Sequence, residues 1–574
     1  MAESESEYDS SAPVFAVRGS TGMFLFSGLK QPQKILEKPR KRDDAEGCRV
    51  MQFSPCGRYF AYCDLASTCV IAVSSGSLLF QWALPRTTQL MFSPKSTFLC
   101  TWQPYLVYGV NAEKREPDPN LGVFSLKTGE KQATLVHKRQ QDWQPQWTDD
   151  ESLCARLVGS ELQFYTGDAA LSGRYSSKCV VPKMQTYALS RGAAPYHVAV
   201  YVPSVKGNPS SVRLYKCDHP KDAIANKTFM TADSVQFFWN HTGTSVVVLT
   251  TSDVDKSNKS YYGEQHLYLM ETNSSESFRV SLGKNGPIYS VQWNPSNHNE
   301  FCVVYGFHIR TQQTRCYAYK LCDALSSKGL ARATLYNGKA EPICDFGQGA
   351  RNEARYNPFG NILLLCGFGN LAGGMEFYSP VEKRIICKMQ VPDSTQFEWA
   401  PDGQHFVTAT TTPRLRQDNN YRIWHYSGRL VHEQPYAGTD ELWEVRFNAA
   451  RTSSAAFTIV YPSAEQQAAA GLRPKGRTTA MDALPSGAIS DKGAYVPPHK
   501  RHGATQSSGS TTSNAAKAPL TEKQKKIRNL ESKLKQIDGL KKKLAAGESL
   551  EKNQIEKIDK EGDLKTELEN LSLE

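Results

Sequence analysis

With 574 residues, 40% of them hydrophobic and 10% aromatic, the chain is too long for one simple core and rich enough to fold over most of its length. No run of eighteen apolar residues is present, and the acidic, polar start MAESESEYDSSAP has neither part of a signal peptide, so a cytoplasmic protein with no membrane partner is expected. The net charge of +11 is uneven: residues 463–547 hold 16 basic and 6 acidic groups and residues 548–574 hold 4 and 9, which points to an anionic partner such as RNA.

In chain order, residues 1–13 read as a disordered N-terminus and residues 14–462 as a β-propeller. Two apolar strands come first, VFAVRG from Val14 and MFLFSG from Met23. A phrase then recurs: an aromatic or Leu, a small polar residue, often Pro and Gly, then an apolar run. Its anchors are Phe53, Phe92, Trp147, Leu189, Trp239, Trp293, Tyr356, Trp399 and a degenerate Phe447, spaced 39 to 63 residues apart. Pro fixes φ and Gly or Asn supplies the positive φ of a tight turn, so each phrase is strand, turn, buried strand. Such units at this period predict a WD-repeat-like β-propeller of four-stranded blades, although the dipeptide Trp-Asp is absent. Nine anchors predict nine blades, and seven or eight with irregular insertions is the alternative. The two early strands are expected to complete the last blade and latch the ring.

The pattern changes after Tyr461. Residues 463–519, rich in Ala, Gly, Ser, Thr and Pro, read as a disordered linker. Residues 520–574 read as a C-terminal α-helical hairpin. Thr521 to Gln524 fits a capping box, and an apolar stripe runs through Ile527, Leu530, Leu534, Ile537, Leu540 and Leu544. Gly547 and Ser549 mark the bend before a second, acidic stripe.

Enzyme chemistry finds no foothold. There is no Gly-x-Ser-x-Gly elbow, no His-Glu-x-x-His and no P-loop, so no catalytic residue, cofactor or metal is expected. The run Gly367 to Gly374 lies between two apolar strands and reads as a hairpin connection. Asp253 and Asp255 lack the spacing of a calcium loop. Fourteen cysteines include no Cys-x-x-Cys pair and sit mostly in apolar runs, as small buried hydrophobes.

Binding features are clearer. In PRLRQDNNYRIWHY, Arg414, Arg416 and Arg422 stand beside aromatics that look exposed, a pairing suited to phosphate contact and base stacking; solvated loop arginines are the competing reading. In the tail, Lys523, Lys525, Lys526, Arg528, Lys535, Lys541, Lys542 and Lys543 are candidate phosphate contacts, against the reading of a solvated helix face. Tyr495 to Arg501 reads as an extended linker segment that offers two cations.

Longer phrases go beyond pattern. WQPQWTDDESLCAR, TSDVDKSNKSYYGEQ, KNGPIYSVQWNP, CDFGQGARNEARYNPFGNILLLCGFGNLAGGMEFY, DSTQFEWAPDGQHFVTATTTPRLRQDNNYRIWHYSG and GESLEKNQIEKI closely resemble the eukaryotic translation initiation factor 2A family. The resemblance runs from about Val14 to the C-terminus, apart from the linker. It implies a nine-bladed propeller with a flexible tail. It implies a factor that helps deliver initiator methionyl-tRNA to the small ribosomal subunit, dependent on the codon and independent of GTP. Contacts with tRNA, messenger RNA and other initiation factors are assigned in that family to the tail. The alternative is a scaffold without direct tRNA binding, resembling the propeller component of initiation factor 3 known as its b chain. That component carries an RNA-recognition domain before its propeller, whereas about thirteen residues precede the first strand here.

Overall fold

The turn phrase sets the architecture. The computed structural model describes residues 12–470 apart from 41–46, 65, 107–116, 168–170, 206–207, 231, 253–262, 307–329 and 451–456; beyond 470 it describes Ile537, Glu561, Gly562 and Thr566. Every one of the nine anchors ends a strand that forms the inner edge of a four-stranded antiparallel sheet. These inner strands are Val50–Phe53, Gln89–Phe92, Gln146–Trp147, Thr186–Leu189, Ser234–Trp239, Ile288–Trp293, Glu353–Tyr356, Gln396–Trp399 and Leu442–Phe447. The sheets are the nine blades of a β-propeller, numbered below in that order. The last inner strand packs beside the first, which closes the ring.

A small polar residue follows the anchor for a physical reason. Ser54, Ser93, Thr148, Ser190, Asn240 and Asn357 are all buried. Their side chains accept the backbone N–H near the start of the second strand: Tyr59 to Ser54 at 3.0 Å, Phe98 to Ser93 at 2.9 Å, Ile362 to Asn357 at 3.1 Å. A buried N–H left unpaired costs about 1–3 kcal/mol. Four residues past the anchor the backbone is left-handed in six of the phrases. Gly57, Gly243, Gly360 and Gly403 hold that place at φ between 66° and 74°, where a Cβ is disfavoured. Ser96 and Glu151 accept the same conformation in two phrases that lack glycine.

Second strands such as Phe98–Trp102 and Leu363–Gly367 are buried along their whole length because each lies between two flanking blades. Neighbouring blades therefore share cores. Ala61 and Val70 of the first blade pack with Leu90, Phe92 and Leu99 of the second. The ninth blade joins the two ends of the propeller sequence. Val14–Gly19, Gly22–Ser27 and Gln33–Pro39 supply three strands and Leu442–Phe447 the fourth, with Phe15 opposite Phe447 and Val17 opposite Val445. The early strands thus latch the ring as expected.

One boundary moves. The linker expected from residue 463 begins with ordered chain. Phe457, Ile459 and Tyr461 pack on the shared core of the seventh and eighth blades. The Tyr461 hydroxyl donates to Glu382 at 2.7 Å, and Arg384 stacks 3.9 Å over its ring. Ser463 then caps a short helix, Ala464–Ala469, through a capping box with Gln466. Gln467 donates to the Ile386 carbonyl at 3.4 Å. Ala470 sits so close to Gly428 that a side chain at Gly428 would overlap it, so this contact depends on two small residues.

Residues 478–574 form a separate unit. Its four described residues are helical; Ile537 is buried, and the Thr566 hydroxyl donates to the Gly562 carbonyl at 3.0 Å. The expected hairpin and its eight cations otherwise lie outside the described residues. Among the described residues no helix is long and apolar enough to cross a membrane, and the described cysteines are free thiols, most of them buried.

Candidate functional site

Antiparallel blades send their loops alternately to two faces. One face carries the phrase turns. The other carries the connections between second and third strands, among them Phe368–Gly373 and the loop from Thr411 to Asn419. Side chains one and three places before each anchor share one face of the inner strand, because strand side chains alternate with period two, and several of them line a central cavity.

In the first six blades these positions are neutral, as with Gln52, Gln146, Gln236 and Gln292. In the last three they are Glu353 and Arg355, Gln396 and Glu398, Glu444 and Arg446. A cavity of about 690 Å³ lies against this charged arc, lined by Gln236, Gln292, Arg355, Gln396 and Arg446, with Arg414 among its lining residues.

The charges are largely satisfied by one another. Arg355 pairs with Glu353 at 2.6 Å, Arg446 with Glu444 at 2.7 Å and with Glu398 at 3.8 Å, and Arg18 with Glu444 at 3.2 Å. Arg18 also donates to the Cys48 carbonyl at 3.1 Å and lies 5.5 Å over the Trp443 ring. Burial pushes the Glu398 carboxyl up to about 7, against the pull of Arg446. Its Oε2 finds no hydrogen-bond donor among the described residues.

The amides brace the ring. Gln146 donates to the Tyr187 carbonyl at 3.1 Å and accepts from the Leu189 N–H at 2.7 Å, which ties the third inner strand to the fourth. Gln396 makes the same pair of bonds to Val445, which ties the eighth to the ninth.

The predicted arginines separate. Arg414 and Arg416 are exposed on the loop between His405–Thr410 and Asn420–His425, and neither has an ion-pair partner among the described residues. The loop is pinned by Asn419, which accepts from the Thr412 hydroxyl and the Leu442 N–H, both at 2.9 Å, and donates to the Leu415 carbonyl at 2.8 Å. Arg414 lies against Gly369, where any side chain would displace it. Arg422, by contrast, sits on a strand, and its Nε donates to Glu433 across the ladder at 2.7 Å.

The aromatics expected to be exposed beside these arginines are buried: Tyr421, Trp424 and Tyr426 are each at most 2% accessible. They belong to the third strand of the eighth blade and its end, which is packed between neighbours, so they offer no stacking face. The Arg/Glu arc was missed from sequence. Its one signal is charge at alternate positions in EARY and LWEVRF, and a glutamine and a glutamate so spaced in QFEW, just before an anchor.

The chain is similar to known proteins. Two family models match: eukaryotic translation initiation factor eIF2A over residues 227–445, and the eukaryotic translation initiation factor 2A C-terminal domain over residues 525–571. The chain is 39% identical over 590 aligned positions to eukaryotic translation initiation factor 2A of Caenorhabditis elegans, covering 98% of this chain and 99% of that one. A second relative of the same name, from Schizosaccharomyces pombe, is 32% identical and covers 97% of this chain and 98% of that one. A crystal structure of a eukaryotic initiation factor superposes with a TM-score of 0.65 at 30% identity, covering 76% of this chain and 98% of that chain.

Proposed function

The chain belongs to the eukaryotic translation initiation factor 2A family, and from that premise we propose that it promotes binding of initiator methionyl-tRNA to the small ribosomal subunit. In this reading the delivery depends on the codon and needs no GTP, no cofactor and no catalytic residue. The protein works in the cytoplasm, with messenger RNA and other initiation factors as further partners.

The supporting observation is where unspent positive charge lies. Within the propeller, Arg18, Arg355, Arg422 and Arg446 face carboxylates. Residues 463–547 carry an excess of ten positive charges. A ring whose channel-side arginines face carboxylates suits docking, and a stretch with so large an excess of cations suits phosphate. Tethering raises the tail's effective concentration near RNA once the ring has docked. Lys523, Lys525, Lys526, Arg528, Lys535, Lys541, Lys542 and Lys543 supply that affinity in this proposal, and Arg414 and Arg416 add a minor contact from the propeller. Specificity comes from the ribosome and the codon, since phosphate contacts carry no sequence information.

The test compares the full chain with one ended after Ala470, which keeps the strap and its helix on the propeller. Both are titrated with labelled initiator tRNA and with small subunits across a salt series. The full chain is expected to lose roughly a thousandfold in affinity between about 50 and 200 mM salt if six phosphates are neutralised. The shortened chain is expected to remain folded and to bind only weakly. Undiminished, salt-insensitive binding by the shortened chain overturns the proposal and favours a scaffold without direct tRNA contact.

A further inference from the structure

The nine outermost strands form an internal control. Each is the exposed edge of its blade, and a free edge invites another strand to pair with it unless something blocks it. Eight of them carry at least one charged residue, from Lys34 in Gln33–Pro39 and Lys131 in Lys131–Leu135 to Glu433 in Leu430–Pro435. The outer strand of the first blade, Leu78–Trp82, reads LLFQW and carries none.

This strand pairs with Thr68–Ala72 on one side, and among the described residues no strand pairs with its other side. Leu78 is 54% exposed and Leu79 42%. Ile71 faces Leu78 and Val70 faces Phe80, so Leu79 is the extra residue of a bulge. The strand is firmly held all the same. Trp82 donates to the Gly129 carbonyl at 3.0 Å, and its ring lies 4.4 Å from that of Phe124 in the next blade. A preformed edge spares an incoming peptide part of the ordering cost.

The flanks are basic. On one side the Gly76 turn abuts the Ile35 carbonyl of the ninth blade's outer strand, which presents Lys38 beside the ion pair of Lys34 with Glu37 at 3.1 Å. On the other side stand Lys127 and Lys131 against Glu130.

We propose that the free edge of Leu78–Trp82 is a docking site for an extended segment of a partner protein, added to the first blade as a fifth strand. Main-chain hydrogen bonds supply register, Leu78 and Leu79 cover the segment's apolar side chains at alternate positions, and the lysines to either side select acidic residues at its ends. A nucleic acid fits the edge less well, because Phe80 and Trp82 turn their rings to the next blade and leave no stacking platform.

The probe is a blocked, labelled nonapeptide, Asp-Glu-Val-Thr-Ile-Thr-Val-Asp-Glu, titrated into the full chain, beside a control with lysine in place of its four acidic residues and a uridine decanucleotide. The acidic peptide is expected to bind and to slow amide exchange across residues 78–82. Leu79→Lys, which gives this strand the charge its eight counterparts carry, is expected to weaken binding about tenfold, a loss of about 1.4 kcal/mol. Lys38→Glu, an exposed change away from the core, is expected to weaken it by a similar factor and guards against misfolding of the first variant. Failure of the acidic peptide to bind, equal binding of the lysine peptide, exchange protection elsewhere, full affinity in both variants, or displacement of the peptide by the oligouridylate would each overturn the proposal.

Discussion

Two arcs of the channel wall meet the same demand by different chemistry. At these inner-strand positions the first six blades carry neutral side chains, many of them glutamines; the last three carry Glu353, Arg355, Glu398, Glu444 and Arg446, backed by Arg18. Every inner strand must satisfy polar backbone near a wet channel. Glutamine does so through its amide, as Gln146 does to Tyr187 and Leu189. The charged arc adds ion pairs beside the seam where the two ends of the propeller sequence meet. A directional pair such as Arg18 with Glu444 holds only one register of Val14–Gly19 against Leu442–Phe447, and a slip by one residue would turn every side chain to the wrong face. The arc sets three arginines beside three glutamates and spends most of them on one another, so it is built to hold the seam.

The sharpest way to break that contrast is Arg18→Met, which keeps the apolar stem and removes the charge. Arg18 and Glu444 are both less than a fifth exposed, so the loss of one partner is expected to cost about 3 kcal/mol, read as a lower urea midpoint at unchanged slope. Gln52→Met, on the amide arc, is expected to stay within about 0.5 kcal/mol of the parent. Equal losses would mean that the seam needs no ion pair.

Next in size is a pH effect confined to the charged arc. Glu398 is raised from 4.5 to about 7 in the folded chain. The folded state therefore holds a proton that the unfolded state releases, and this group's contribution to stability falls as pH rises from about 4.5 to 7 and is level above that. With its side chain about a quarter exposed, the discounted cost at pH 8 is about 2 kcal/mol. Glu398→Gln is thus expected to match the parent near pH 4 and to melt higher at pH 8. A parallel pair of melting curves across that range would remove the buried carboxyl from the account of the arc.

Much of the ring was legible in the sequence. The nine anchors could be found because a tight turn after a buried strand demands a small polar side chain and then a left-handed residue, and both demands write themselves in SPCG at Ser54, NHTG at Asn240 and NPFG at Asn357. The latch was legible because two apolar strands before the first anchor had no blade of their own. The charged arc was not. Its strands are four to six residues long, and Glu or Arg at every second place reads equally as a solvated strand until ring closure turns that face inward. Burial of Tyr421, Trp424 and Tyr426 was hidden for a related reason: nearby arginines suggest solvent, while the strand that carries the aromatics is sandwiched between blades. The helix Ala464–Ala469 was lost because composition was read over the whole of residues 463–519, which drowns one capping box in a polar, alanine-rich stretch.

The smallest expected effect tests whether the two arcs share a brace beneath their different charges. Gln146 and Gln396 stand on opposite arcs and each makes two hydrogen bonds to the backbone of the next inner strand. Replacement by leucine keeps the volume and strands one backbone N–H and one carbonyl in either case. At about 1 kcal/mol net per neutral hydrogen bond, and with channel water able to solvate part of what is exposed, Gln146→Leu and Gln396→Leu are each expected to cost about 1 kcal/mol, measured by urea unfolding. Equal costs would establish the amide brace as the common framework and the ion pairs as an addition at the seam. A negligible cost at Gln396 alone would mean that Arg18, Glu444 and Arg446 already hold the eighth and ninth blades together, and that the charged arc replaces the brace instead of reinforcing it.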